Sequence, residues 1–300
     1  MSAEGRSSAD TWPDRARIAV SLVVNFEEGS EQSPKEGDRY AEPTDEFGVT
    51  MKQGVRNVAN ESAFQYGLKA GAPRILNLLE EHGLKATFTS AALALERAPE
   101  LTARIVAGGH EFCGHGYRWM HQFKMDEQAE REFIRKAAES IARSTGTRPV
   151  GWLSRYMCSP NTRRLLVEQG FTYHMDDYSD DLPWWDAVDG KPILVSPSAL
   201  DTNDFKFWLN PAFGPEAWLR YLTDSFDQLY EEGATAPRML SVGLHQRMIG
   251  RPGRFRNLQR FVRHMLGHPG VWVATRREIA EWWAQRHPYQ AGAARAGRQA

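Results

Sequence analysis

Apolar runs and amphipathic segments alternate along most of this chain, and the period of each identifies the element it forms. The run ARIAVSLVVNF (16–26) is rich in Val, Ile and Leu and has the length of a buried strand. GAPRILNLLEEHG (71–83) carries apolar residues at 75, 76, 78 and 79 and then a glycine, which predicts a helix with a glycine stop. KATFTSA (85–91) predicts a strand, PELTARIVAGG (99–109) a helix, and HEFCGHG (110–116) a strand entering a loop. In MDEQAEREFIRKAAESIARSTG (125–146) acids come early and bases late. Phe133, Ile134, Ala137, Ala138 and Ile141 share one face, which makes this the clearest helix. Further strands are expected in PVGWLS, FTYHMD, ILVSPS, RMLSVGLH and GVWVATRR, with helices near 160–169, 214–232, 254–266 and 276–286.

Two kinds of segment break this rhythm. Residues 1–14 and 291–300 are small and polar, and are expected as flexible tails around one domain spanning 15–290. Residues 27–67 are polar, with Gly, Pro and charge throughout, and a loop that long is usually functional or disordered. Elsewhere the alternation implies an α/β fold of parallel strands covered by helices, with closure into a barrel of about seven βα units. Chemistry in such folds gathers on loops at the carboxyl ends of the strands. Four polar clusters fall there: NFEEGSE after the first strand, GHGYRW after the third, LDTNDFKF after the run at 193–198, and GLHQR at the end of the run at 238–245.

Composition narrows the partners. The chain is 41% apolar and 25% charged with a net charge of −1, so no basic field draws it to nucleic acid or to an anionic membrane. No apolar run is long enough to span a bilayer, and MSAEGRSSADTWPDR lacks the apolar stretch of a signal peptide. Two cysteines, Cys113 and Cys158, suit a reducing compartment. The expectation is a cytoplasmic globular protein acting on a small molecule.

Within the clusters, Glu27 and Glu28 close the first strand. Neighbours in a strand point to opposite faces, so one of the two is expected to enter a given pocket as base or ligand. His115 lies between glycines at a strand end, the setting of a ligand or an orienting group. His245 ends its strand and suits proton transfer, with Arg247 two residues on. Asp201, Asn203 and Asp204 form an Asx-rich turn that could bind substrate or orient His245. The aromatic set Trp152, Trp184, Trp185 and Trp208 reads equally as core or as pocket wall.

These clusters, in this order over roughly residues 15–290, resemble the polysaccharide deacetylase superfamily, whose fold is a distorted, incomplete (β/α) barrel. In typical members the first strand ends in two aspartates, one a base and one a metal ligand. The third strand ends in two histidines four apart that complete the metal site, and a late Leu-His supplies a general acid. By that resemblance the carboxylates fall at Glu27 and Glu28, the first ligand His at His115 and the acid at His245, while the second ligand position holds Trp119. NFEEG, GHGYRW, SPNTRRLL, DDLPWW, LDTNDFKF and GLHQRMIGRP look closer still to the allantoinase branch, which opens a hydantoin ring without bound metal and includes cyclic-imide hydrolases. LSRYMC (153–158) departs from that branch in length and composition, and it borders the expected substrate pocket.

The resemblance implies a hydrolase of non-peptide carbon–nitrogen bonds acting on a cyclic amide, with Glu27, Glu28, His115 and His245 catalytic. Arg118, Trp119, Trp152, Arg155, Asp201, Asn203, Asp204 and Arg247 would surround the substrate. No tightly bound cofactor is expected. A Trp indole only donates, so any zinc would rest weakly on Glu28 and His115. Two alternatives stand beside this reading: a metal-dependent deacetylase of N-acetyl sugars, and a non-catalytic ligand-binding protein on the same fold. The related allantoinases are homo-oligomers, and the same is expected here.

Overall fold

The computed structural model describes residues 12–44, 46–208 and 214–291. Residues 1–11 and 292–300, most of the expected tails, lie outside them. The chain enters through β1 (Ile18–Phe26), buried at every position, as its near-continuous apolar run requires. Each large side chain in it contributes about 1.5–3 kcal/mol of burial. α1 (Val58–Tyr66) continues through a π-helical turn at Gly67–Gly71 into α2 (Ala72–Glu81). β2 (Thr87–Ser90), α3 (Ala92–Arg97), α4 (Pro99–Ala107) and β3 (Glu111–Gly114) follow. α5 (Glu127–Thr145) is capped by the Asp126 side chain and stopped by Gly146 in the left-handed conformation, φ 75°.

The second half begins with β4 (Gly151–Trp152), α6 (Thr162–Glu168) and β5 (Tyr173–His174). A hairpin of β6 (Trp184–Val188) and β7 (Lys191–Val195) comes next, then α7 (Asp204–Trp208) and α8 (Pro215–Glu232). β8 (Arg238–His245) runs into α9 (Gln246–Ile249) and α10 (Pro252–Leu266), and β9 (Val271–Val273) leads to α11 (Arg276–Arg286).

One sheet holds these strands in the order β6-β7-β5-β4-β3-β2-β1-β8, with β9 joined to β1 off that path, and it is parallel except where β6 pairs with β7. β8 pairs along β1 from Ile18 to Asn25, while β9 and β2 divide the other edge of β1. The sheet ends in the hairpin instead of closing on β8, and an isolated bridge between Asn203 and Gly243 crosses the seam. The architecture is the distorted, incomplete (β/α) barrel that the clusters implied. Because the main strands are parallel, the segments after Phe26, Gly114, Trp152 and His245 emerge on one rim.

Three local differences from the expected pattern have plain causes. Trp12, which falls in the expected N-terminal tail, is buried against Trp272 and Trp283, with its indole donating to the Arg238 carbonyl at 2.8 Å. The polar stretch 27–67 contains α1, which buries only Asn60 and Phe64 and so leaves almost no apolar period to read. The last strand stops at Val273 because Thr275 caps α11 in a reciprocal bond with Glu278.

Two glycines bring the catalytic rim close to the helical layer. A Cβ on Gly71 would overlap the Gln246 carbonyl, and one on Gly250 would overlap the Gly71 backbone. Gly71→Ala should therefore force a backbone shift costing about 1–3 kcal/mol. Gly253, near the start of α10, has nothing within 4 Å of its would-be Cβ. Its alanine variant should be neutral or gain about 0.4–1 kcal/mol. Thermal unfolding of the two variants side by side checks the contrast.

Candidate active site

The rim surrounds a cavity of about 410 Å³ lined by residues at the ends of β1 and β8 and on the segments that follow β3, β4, β5 and β7. Glu27 follows β1 and points into it. Its Oε1 lies 3.4 Å from His115 Nε2 and 3.6 Å from His245 Nε2, and its Oε2 accepts from Arg247 Nη1 at 2.8 Å. Burial pushes this carboxyl up, but the charges of His245, Arg247 and His115 outweigh it and hold Glu27 far below the usual carboxylate range.

Glu28, in the turn just past the end of β1, points away from the cavity. It packs against Gly67, where a Cβ would come within 2.5 Å of Oε1, and accepts from the backbone N–H groups of Arg247 at 3.1 Å and Glu27 at 3.2 Å. Burial dominates here and raises its pKa to about 7. Arg247 thus spans both carboxylates, with its guanidinium 4.2 Å from the centre of the Phe64 ring.

Each histidine is fixed from behind. His115 Nδ1 meets the Leu153 carbonyl at 2.6 Å; a carbonyl only accepts, so Nδ1 donates there and the ring is held with Nε2 toward Glu27. His245 Nδ1 meets Asp204 Oδ1 at 2.6 Å, and the same carboxylate accepts from the His245 backbone at 2.8 Å. Burial disfavours the imidazolium, yet Asp204 and Glu27 prevail and raise its pKa. The turn that positions Asp204 is tied to β8, where Thr202 donates to the Ser241 carbonyl and Asn203 packs on Gly243.

Trp119 and Arg155 form one wall. The Arg155 guanidinium lies 3.7 Å from the centre of the Trp119 ring, bonds the Trp119 carbonyl at 2.6 Å and is held by Glu42 at 2.5 and 3.0 Å. The Trp119 indole N–H is buried without a partner among the described residues. Tyr156 and Phe205 add aromatic surface, and Lys206 places a cation at the cavity. Tyr156 sits at φ 60°, a strained value for a side-chain-bearing residue, and its hydroxyl meets Thr44 Oγ1 at 2.8 Å.

Of the residues singled out from sequence, Glu27, His115, Trp119, Arg155, Asn203 and His245 line the cavity, with Asp204, Arg247 and Glu28 behind them. Five expected substrate contacts are not in its lining: Asp204 and Arg247 stand behind it, and Trp152, Arg118 and Asp201 are placed elsewhere. Trp152 is core: its ring crosses Gly114 and meets Phe171 edge-on at 5.6 Å, and its N–H donates to Ser154 at 3.1 Å. Arg118 is committed to Asp38 at 2.6 and 2.9 Å. Asp201 borders a separate opening and accepts from the Tyr221 hydroxyl at 2.7 Å. Glu42 and Phe64, which hold the two arginines, were missed because both lie in the stretch without a period.

Comparison with known proteins places this geometry in a family. A family model described as polysaccharide deacetylase matches residues 61–174. A Schizosaccharomyces pombe relative named as a polysaccharide deacetylase is 37% identical over 93% of this chain and 94% of its own. The peptidoglycan deacetylase of Helicobacter pylori is 28% identical over 73% of this chain and 86% of its own. Among solved structures, a PuuE allantoinase is 45% identical with a TM-score of 0.90, covering 93% of this chain and 94% of that one. A Pseudomonas aeruginosa PAO1 protein carrying a polysaccharide deacetylase name is 46% identical with a TM-score of 0.88, over 93% and 95%. The chain belongs to the polysaccharide deacetylase family, whose members are hydrolases acting on carbon–nitrogen bonds.

Proposed function

We propose that this hydrolase opens a cyclic amide, a hydantoin or an imide, using side chains in place of a metal. The observation that carries the reading is the Glu27 carboxylate, held between two imidazoles and salt-bridged to Arg247 at 2.8 Å. The zinc ligands implied by family resemblance would fall at Glu28, His115 and position 119. Glu28 oxygens are taken by the two backbone N–H groups, Trp119 offers only a donor, and the guanidinium supplies the positive charge. This donor set does not suit zinc, and the chemistry falls to the side chains.

Glu27 Oε1 and His115 Nε2 face one space, 3.4 Å apart. A water held there that donates to Glu27 keeps a lone pair free for a carbonyl carbon. As the C–O bond forms, Glu27 takes the proton and the buried Trp119 N–H faces the developing oxyanion. His245, kept protonated by Asp204, gives its Nε2 proton to the ring nitrogen as the C–N bond breaks. A planar, strained, electron-poor amide needs less activation than an acetamide, and the aromatic walls of Trp119, Tyr156 and Phe205 suit a flat ring. The S. pombe and H. pylori relatives favour a second reading, deacetylation of N-acetyl sugars.

Glu27→Gln and His245→Ala should each lower kcat by about 10²–10⁴-fold while the far-ultraviolet circular dichroism is unchanged. Unchanged turnover in both would sink the mechanism. Because protonated His245 is the acid, kcat/KM should be high below its raised pKa and decline as pH climbs through it. Asp204→Asn removes the main cause of the rise, so that alkaline limb should move to lower pH. An unmoved limb assigns the ionisation to another group. Allantoin, other hydantoins, cyclic imides and N-acetylated amino sugars, each assayed with chelator and with added zinc, separate the two readings. Turnover of a cyclic amide in chelator supports the first. Zinc-dependent release of acetate alone would overturn it.

A further inference from the structure

Away from the cavity, α8 and α10 pack together and bring Asp227, His264 and His268 into one group. One ligand atom from each lies within 4.8 Å of the others. We infer that this group is a surface site for a divalent cation of the zinc class, separate from the catalytic pocket. The hydrogen bonds prepare it. His268 Nδ1 meets the His264 carbonyl at 2.9 Å; a carbonyl only accepts, so Nδ1 donates and Nε2 is the atom left for an ion. A second-sphere bond of this kind is how ligating histidines are oriented.

His264 Nε2 and Asp227 Oδ1 stand 2.6 Å apart with a proton between them, and a cation takes that proton's place. Zinc bonds of about 2.0–2.2 Å put tetrahedral ligand atoms roughly 3.3–3.6 Å apart, so atoms already within 4.8 Å of one another need move only about an ångström to close on an ion. Two imidazoles and a carboxylate, with water as a fourth ligand, match the preference of zinc over calcium or magnesium. The histidines are four apart at the end of α10, on either side of its last turn. Phe226 and Tyr230 wall the inner side, with ring centres 5.2 and 4.9 Å from His268. His264 and Asp227 side chains are 33% and 42% exposed, which gives an ion access from solvent.

The site matters for any metal assay of this protein, since one zinc per chain would reside here and not at Glu27. The full chain, stripped with chelator, is titrated with zinc against a chromophoric indicator. The wild type and His115→Ala should each bind one equivalent. His264→Ala and His268→Ala should weaken binding at least about 10–100-fold. Zinc should raise the thermal midpoint of the wild type and leave that of His268→Ala unmoved, a readout that also reports folding of the variant. Absence of binding to the wild type, or binding lost in His115→Ala and retained in His268→Ala, overturns the inference.

Discussion

Everything at the rim depends on one buried ion pair, Glu27 with Arg247 at 2.8 Å. Neither group could be left charged in such a place alone, since an unpaired buried ion costs several kcal/mol. The guanidinium satisfies Glu27 from one side and the two imidazoles approach its other oxygen, so the carboxylate remains ionised where burial would otherwise neutralise it. The same guanidinium reaches Glu28 at 3.5 Å, and there burial wins. Two adjacent carboxylates of equal chemistry thus end with opposite preferences, one for charge and one for a proton near neutrality. The turn that follows β1 is the cause: it leaves one residue toward the histidines and the other toward Gly67.

The fold places these charges at little local cost. Arg247 lies in α9, directly after the His245 end of β8, and its backbone donates to Glu28 from across the sheet. The bond ties the end of β8 to the end of β1, and the register Asn25–His245 brings those ends level. Gly71 and Gly250 then let the π-helical turn between α1 and α2 close over the pair, with Phe64 against the guanidinium face. A cation in a rigid frame needs no reorganisation when charge moves during a reaction, which is the condition for useful electrostatic stabilisation.

How much of this was legible in the sequence follows from how local each signal is. β8 and the helices of long apolar period are readable because burial repeats at 3.6 residues or continuously over a run, and RMLSVGLH marks both ends of its strand. Candidate site positions at strand ends were readable by the same logic, because parallel topology sends them all to one rim. The direction of Glu27 and Glu28 was open, since a strand's alternation leaves the inward face undetermined until both flanking layers are placed. Trp152 and Asp201 drew attention through residue type alone, and type does not distinguish a ring packed across Gly114 from one facing a ligand. Glu42 and Phe64 gave no signal, because their partners lie more than a hundred residues away at Arg155 and Arg247.

Position 119 joins these strands of argument. An indole there cannot replace a ligating imidazole, and here it stacks under Arg155 and closes on Phe64 at 5.9 Å. Those two neighbours are held in turn by Glu42 and Arg247, so the Trp is integrated into both charge networks of the rim. Returning a histidine to 119 alone would leave a void beside Arg155 and Phe64, and Arg247 would still present its charge to Glu27. A metal site would need the arginine withdrawn, Glu28 turned and the wall refilled together. The coupling between packing and charge argues for a pocket built as a unit around its own cation, and the loss of one ligand alone does not explain it.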